Sequence, residues 1–333
     1  MRRTIISIML LVAMGVVGLG TTSQAESTSR VQNHEQIVKF WTKARVAKAV
    51  SRDFVRNPTT GKYLEKNRRF DSGYVTGASW ESGGEVQGTT GKVLFSMGSR
   101  YYVCTANVVG DGVAGRSIIS TAAHCVFDEV KGVFADNWMF VPDYDNQPVA
   151  LTGDGSFCDS TLYGCWTAQA TIVSNNYATA GSFNNQAVLS DYAFVAVEQG
   201  GKSLTHLDVE VGSQPIAFAE EDFEINIWSF GYPAARKYKG ADLTYCNGLL
   251  YFDVRMDYQT YQLGCNMTGG ASGGPWFKDF SNEGITAGEG TQFSVNSYGY
   301  SNSKNMYGPI FGTETESMFN TAQTMTVNTI FGS

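Results

Sequence analysis

Charged side chains are scarce: Asp, Glu, Lys and Arg make up 17% of the 333 residues, against about a quarter in an ordinary soluble domain. Histidine is scarcer still, with three in the chain, so chemistry that needs an imidazole has few places to find one. No stretch beyond the first thirty or so residues approaches the ~20 apolar residues of a membrane span, which argues against stable insertion in a bilayer. No repeat period and no low-complexity tract is present, which excludes solenoids and arrays. The six cysteines contain no Cys-x-x-Cys pair, so metal ligation is not expected. Long basic runs are missing as well. Arg236-Lys237-Tyr238-Lys239 is too short for a nucleic-acid patch on a chain of net charge −7.

Glycine and aromatics are abundant, with 37 Gly, 17 Tyr and 20 Phe. That profile suits many short strands separated by turns. Lys92–Phe95 and Tyr101–Cys104 flank the turn-like Met97-Gly98-Ser99 and read as a hairpin. Further strands are expected at 116–120, 137–141, 168–173, 192–197, 224–230, 248–255, 284–287 and 292–298. Helical sequence is rare after residue 90, and Thr313–Met325 is its best candidate.

The amino terminus has the three parts of a secretory signal: Arg2-Arg3, an apolar run from Ile5 to Gly18, and small residues ending at Ala25. An uncleaved anchor is the alternative. Charge then divides the remainder. Residues 26–85 hold 11 Lys/Arg against 7 Asp/Glu, a net of +4, whereas the rest to Ser333 holds 11 against 24, a net of −13. Within the basic part, Val31, Ile37, Val38, Trp41, Ala44, Val46 and Ala47 recur near helical spacing over 29–52, and 57–88 reads as a Gly/Ser/Thr/Asn-rich linker. The expected organisation is 1–25 signal peptide, 26–85 propeptide and 86–333 a single functional domain. A helix that merely decorates the protein is the other reading of the basic part.

The most informative stretch is Gly269-Gly270-Ala271-Ser272-Gly273-Gly274-Pro275-Trp276. Missing side chains on both sides of a serine suit a tight backbone that holds its hydroxyl forward and aims the Gly270 and Ser272 amides into one small space. An ordinary glycine-rich loop is the alternative. A serine nucleophile needs a base and a group to orient that base. His124 ends the β-type run Ile118–Ala123, and Asp191 stands at the mouth of the apolar strand Tyr192–Val197. The order is His124, Asp191, Ser272.

On Cys104-Thr105-Ala106-Asn107, Thr121-Ala122-Ala123-His124-Cys125, Asp191-Tyr192-Ala193 and Gly270-Ala271-Ser272-Gly273-Gly274-Pro275, residues 90 to 312 resemble the trypsin- and chymotrypsin-like serine peptidases, closest to their bacterial secreted, V8-like branch. The resemblance implies an all-β fold of two six-stranded antiparallel barrels with a short C-terminal helix, preceded here by a partly helical prosegment. It implies Ser272 as nucleophile, His124 as acid and base, Asp191 as its orienting partner, and no cofactor. It also implies a Cys104–Cys125 bridge. Cys158 and Cys165 bracket a six-residue loop, and Cys246 with Cys265 is what then remains, although six cysteines alone allow fifteen pairings. The partners it implies are protein or peptide substrates. The charge contrast and an apolar helix face with nothing of its own to bury against make the segment 26–85, the protein's own propeptide, the expected inhibitor, docked on the acidic domain of a secreted monomer.

Departures from the family bear on activation and specificity. Ala271 stands where enzymes activated by a freed amino terminus carry an aspartate, so maturation is expected to remove a mask, with dibasic Arg68-Arg69 a conceivable cut. Aligned on Ser272, the specificity pocket comprises Asn266, Met267 and Thr268 on one wall and Ser297, Tyr298 and Gly299 on the other. It holds no aspartate for a basic side chain, and Asn296 replaces the histidine that reads glutamate, which leaves a neutral residue. Glu220–Glu224 is read as a solvated surface run, not a calcium site. The alternatives in function are a silent peptidase-like binding protein or adhesin, and an esterase on the same machinery.

Overall fold

The computed structural model describes residues 33–65, 77–146, 156–235 and 238–333. The leader, Val31, Arg68-Arg69 and Arg236-Lys237 lie outside the described residues.

Six strands form a closed antiparallel barrel: Thr90–Met97, Arg100–Val109, Ser117–Thr121, Asp136–Pro142, Trp166–Ser174 and Ala193–Val197. Closure comes from Arg100–Val109 pairing both Thr90–Met97 and Ser117–Thr121. Their residues are buried almost without alternation, because one face fills the barrel and the other is covered. Thr313–Ala322, the C-terminal helix, supplies part of that cover by setting Phe319 at 5.4 Å from Phe194.

The second half is built from two sheets, one ordered 291–295, 275–278, 226–231, 244–249, 78–79 and the other 251–252, 260–264, 305–309, 298–300, 54–56, 63–65. Between them lies a core that includes Ile227, Tyr261, Leu263, Trp276 and Phe293. The protein is therefore a chymotrypsin-like all-β double barrel with few helices, as expected. Disulfides join Cys104–Cys125, Cys158–Cys165 and Cys246–Cys265. Replacing both Cys104 and Cys125 by alanine is expected to lower unfolding free energy by ~3 kcal/mol, read by urea titration, since the bridge closes a loop of 21 residues.

Several sequence expectations are corrected. Residues 284–287 form turns, with Ile285 fully exposed. Strands at 260–264, 275–278 and 305–309 had not been expected; Pro275 opens the second and Gly308-Pro309 closes the third, which hides strands that tertiary pairing imposes. The helix expected over 29–52 is two, His34–Phe40 and Lys43–Lys48, because the Thr42 hydroxyl accepts from the Arg45 N–H and starts a new helix. Ile37 and Trp41 do find a surface, packing with Leu94, Val103, Met139 and Val141 of the first barrel.

The expected linker at 57–88 is largely structured where described. Phe54–Arg56 and Tyr63–Glu65 form a hairpin, Ala78–Ser79 pairs with Thr244–Tyr245, and Glu85–Thr89 is a short helix running into the first barrel strand. Trp80 is buried among Trp228, Phe230, Tyr245 and Phe280, so residues 77–80 pack as part of the second barrel.

Candidate active site

Strand pairing explains how His124 and Asp191 meet. Ala193 lies opposite Thr121 in the first barrel, so the single turn Ala123–Cys125 at the end of one strand faces the residues that enter the other. Asp191 is fully buried and engaged on both oxygens. Oδ1 accepts the His124 backbone N–H at 2.9 Å, and Oδ2 faces His124 Nδ1 at 2.8 Å. A carboxylate there places the neutral ring's proton on Nδ1 and leaves a lone pair on Nε2. Nε2 is buried and has no hydrogen-bond partner among the described residues.

A third donor to Asp191 comes from a residue that had been assigned to the specificity pocket. Ser297 donates its hydroxyl to Asp191 Oδ2 at 2.5 Å, so its side chain holds the acid and does not line the pocket. Spacing from Ser272 puts the residue beside the strand Tyr298–Tyr300 but does not say which way its hydroxyl points. Ser297→Ala removes one charge-assisted bond, of a kind that contributes ~2 kcal/mol. Turnover is expected to fall by roughly 30-fold with KM nearly unchanged, as steady-state kinetics on a peptide ester would show.

The serine turn needs its glycines for measurable reasons. Gly270 and Gly273 have φ of +100° and +80°, the region that side chains avoid. A Cβ on Gly273 would lie 2.1 Å from Thr121 Oγ1, and one on Gly270 would lie 2.7 Å from the Tyr232 carbonyl oxygen. The turn's carbonyls are tied down: Thr105 donates its N–H to Ser272 O and its hydroxyl to Gly270 O, both at 2.8 Å. The Gly270 and Ser272 amides donate to no other described residue, which leaves two N–H groups for a developing oxyanion. Ser272 O also lies 3.7 Å from the sulfur of Cys125, the residue after His124, so serine turn and histidine turn abut.

Asn296 takes a structural part. Its Oδ1 accepts from Ser229 and Trp276, and its Nδ2 donates to the carbonyls of Phe230 and Ala271. With all four positions used and the residue fully buried, it braces the serine turn against two strands and has nothing left to offer a ligand.

Asn266, Met267, Thr268, Tyr298 and Gly299 do line one cavity, of about 220 Å³, together with Asp53, Phe54 and Val55 from the amino-terminal part. The Tyr298 hydroxyl is already engaged, donating to buried Asp253 at 2.8 Å, and burial pushes the phenol well above its ordinary pKa. Elsewhere, Glu221 of the acidic run is paired with Lys278 at 2.6 Å, His34 bonds Thr167, and His206 precedes the helix Leu207–Val211. Cys104, His124 and Cys125 are the one close cluster of metal-ligating types among the described residues, and the disulfide between the two cysteines removes them as ligands.

No family model and no curated protein matches the chain. Solved structures do. The protease Anisep from Arthrobacter nicotinovorans is 35% identical, with a TM-score of 0.60, over 75% of this chain and 100% of its own. A thermostable serine protease, AL20, from an extremophilic microorganism is 34% identical, with a TM-score of 0.58, over 72% of this chain and 99% of its own. A Glu endopeptidase, 16% identical at a TM-score of 0.54, shares the fold. Agreement of this kind along the whole length of two proteases, on a double barrel with the geometry above, means that the chain belongs to the chymotrypsin-like serine proteases.

Proposed function

We propose that the protein is a secreted serine endopeptidase that cleaves peptide bonds through an acyl-enzyme. In this reading Ser272 Oγ attacks the peptide carbonyl and His124 Nε2 takes the proton. The same nitrogen then returns the proton to the leaving amine, while Asp191 steadies the imidazolium. The Gly270 and Ser272 amides receive the oxyanion. The observation that carries the reading is the buried Asp191, which binds ring, backbone and Ser297 together and leaves His124 Nε2 without a partner. Export is supported by three disulfides, which persist in oxidising compartments, and by the signal-like leader. Maturation by a cut between 65 and 77 fits Trp80 being packed in the second barrel.

The test is a fluorophosphonate probe applied to the processed protein. Labelling confined to Ser272 is the expected result, and a folded, unlabelled protein would identify a silent relative. For specificity, the cavity walls Asn266, Met267 and Thr268 carry no charge, which favours a neutral side chain before the cut bond; Lys304, which also lines the cavity, is exposed. Peptide-library cleavage is expected to rank neutral residues first. A dominant acidic preference would reassign that role to Lys304.

A further inference from the structure

The substrate cleft between the barrels is occupied by the chain itself. Val50–Ser51 adds a parallel strand to Tyr102–Val103 of the first barrel, immediately before Cys104 and its bridge to the histidine turn. Phe54–Arg56 adds a parallel strand to Tyr298–Tyr300 of the second barrel, immediately after Ser297. Residues 50–56 therefore cross from one barrel to the other past the catalytic groups. They run close to the serine turn, since a Cβ on Gly269 would lie 2.6 Å from both Ser51 Oγ and Asp53 Cβ. Phe54 sets its ring edge-on to the His124 imidazole at 5.5 Å and stacks on Phe183 at 3.8 Å. Beneath this cover Ser272 is 4% exposed and His124 is completely buried.

Arg52 locks the crossing. It is buried, and its guanidinium donates to the carbonyls of His124 and Phe127 and to Glu129 Oε2 at 2.6 Å. Burial alone would lower its pKa, but Glu129 and the neighbouring Tyr177 more than offset that, and the net shift is upward. An arginine so paired stays charged at any working pH.

The direction of the crossing distinguishes it from a substrate. In the mechanism proposed above, the leaving amine takes its proton from His124, so the carboxyl-terminal half of a substrate lies over the first barrel. The acyl half places its side chain in the cavity of Met267 and Tyr298, on the second barrel. A cleavable peptide thus runs from second barrel to first, antiparallel to both edge strands. Residues 50–56 run from first to second and pair parallel with both. A reversed chain can use the same edges, but attack on its carbonyls would expel the amine toward the specificity cavity and away from His124.

The geometry points to residues 50–56 as a built-in inhibitor bound backwards in the substrate cleft, an inference that rests on the proposed serine chemistry. Affinity comes from this strand and Arg52, with the helix face of Ile37 and Trp41 as a second anchor on the outside of the first barrel.

The experiment compares the full chain with its Arg52→Ala and Phe54→Asp variants, following fluorophosphonate labelling of Ser272 and, by mass spectrometry, the integrity of bonds 50–56 on prolonged incubation. Labelling is expected to be slow in the parent and at least ten-fold faster in each variant, with those bonds uncut in the parent. Equal, rapid labelling of all three overturns the blocked cleft while leaving the nucleophile intact. Cleavage between 51 and 54 in the parent overturns the reversed polarity. No labelling of any, with melting curves showing folded proteins, overturns the nucleophile itself and the inhibitor with it.

Discussion

Ser272→Ala is expected to lower kcat of the processed protein by a factor on the order of 10⁶, with the folded structure kept. The effect is that large because the three side chains act as a unit: without the oxygen nucleophile, a correctly placed His124 has no proton to take. Loss of this hydroxyl changes little in stability because it makes no hydrogen bond to a described residue, the turn being held instead by backbone bonds to Thr105 and Asn296. Melting temperature should accordingly stay within a degree or two of the parent. Hydrolysis that survives in this variant, after exclusion of contaminating protease by active-site titration, would falsify the assignment of Ser272.

Asp191→Asn tests the second element and should cost about 10⁴ in kcat. The carboxylate accepts from His124 Nδ1, from the His124 backbone N–H and from Ser297. An asparagine can accept on one side only. With NH₂ in place of Oδ2 it meets both His124 Nδ1 and the Ser297 hydroxyl, and the ring proton moves to Nε2, the atom that must act as base; with NH₂ in place of Oδ1 it faces the His124 backbone N–H, donor against donor. KM should change little, since the specificity cavity does not include Asp191. A kcat within ten-fold of the parent would mean that the His124–Asp191 pair is a structural contact and that the base lies elsewhere.

Ser272 was legible because only a turn with φ near +100° and +80°, and carbonyl oxygens within 3 Å of where a Cβ would stand, demands glycine at 270, 273 and 274. His124 and Asp191 were legible as the end and the beginning of two apolar strands, and the register Thr121↔Ala193 brings them together. The pocket was only partly legible. Asn266, Met267 and Thr268 run directly into the serine turn, whereas Asn296 and Ser297 lie in the link between the strands Thr291–Val295 and Tyr298–Tyr300, with Asn296 turned to the serine turn and Ser297 to Asp191. Which of two neighbours faces the cleft is decided by the sheet they join.

The amino-terminal segment shows most plainly where reading the chain stops. Its charge contrast and the apolar spacing of Ile37 and Trp41 are properties of composition and periodicity, and they sufficed to predict that it packs against the rest. Nothing local marks Arg-Asp-Phe-Val-Arg at 52–56 as the segment that crosses the cleft, because its pairing partners lie about 50 residues away on one side and nearly 250 on the other. Composition and local pattern marked an all-β serine protease fold and the three stretches that carry Ser272, His124 and Asp191. Tertiary structure alone decided the direction of the strand laid across them, since parallel and antiparallel pairing use the same backbone groups and leave no mark on the residues that form them.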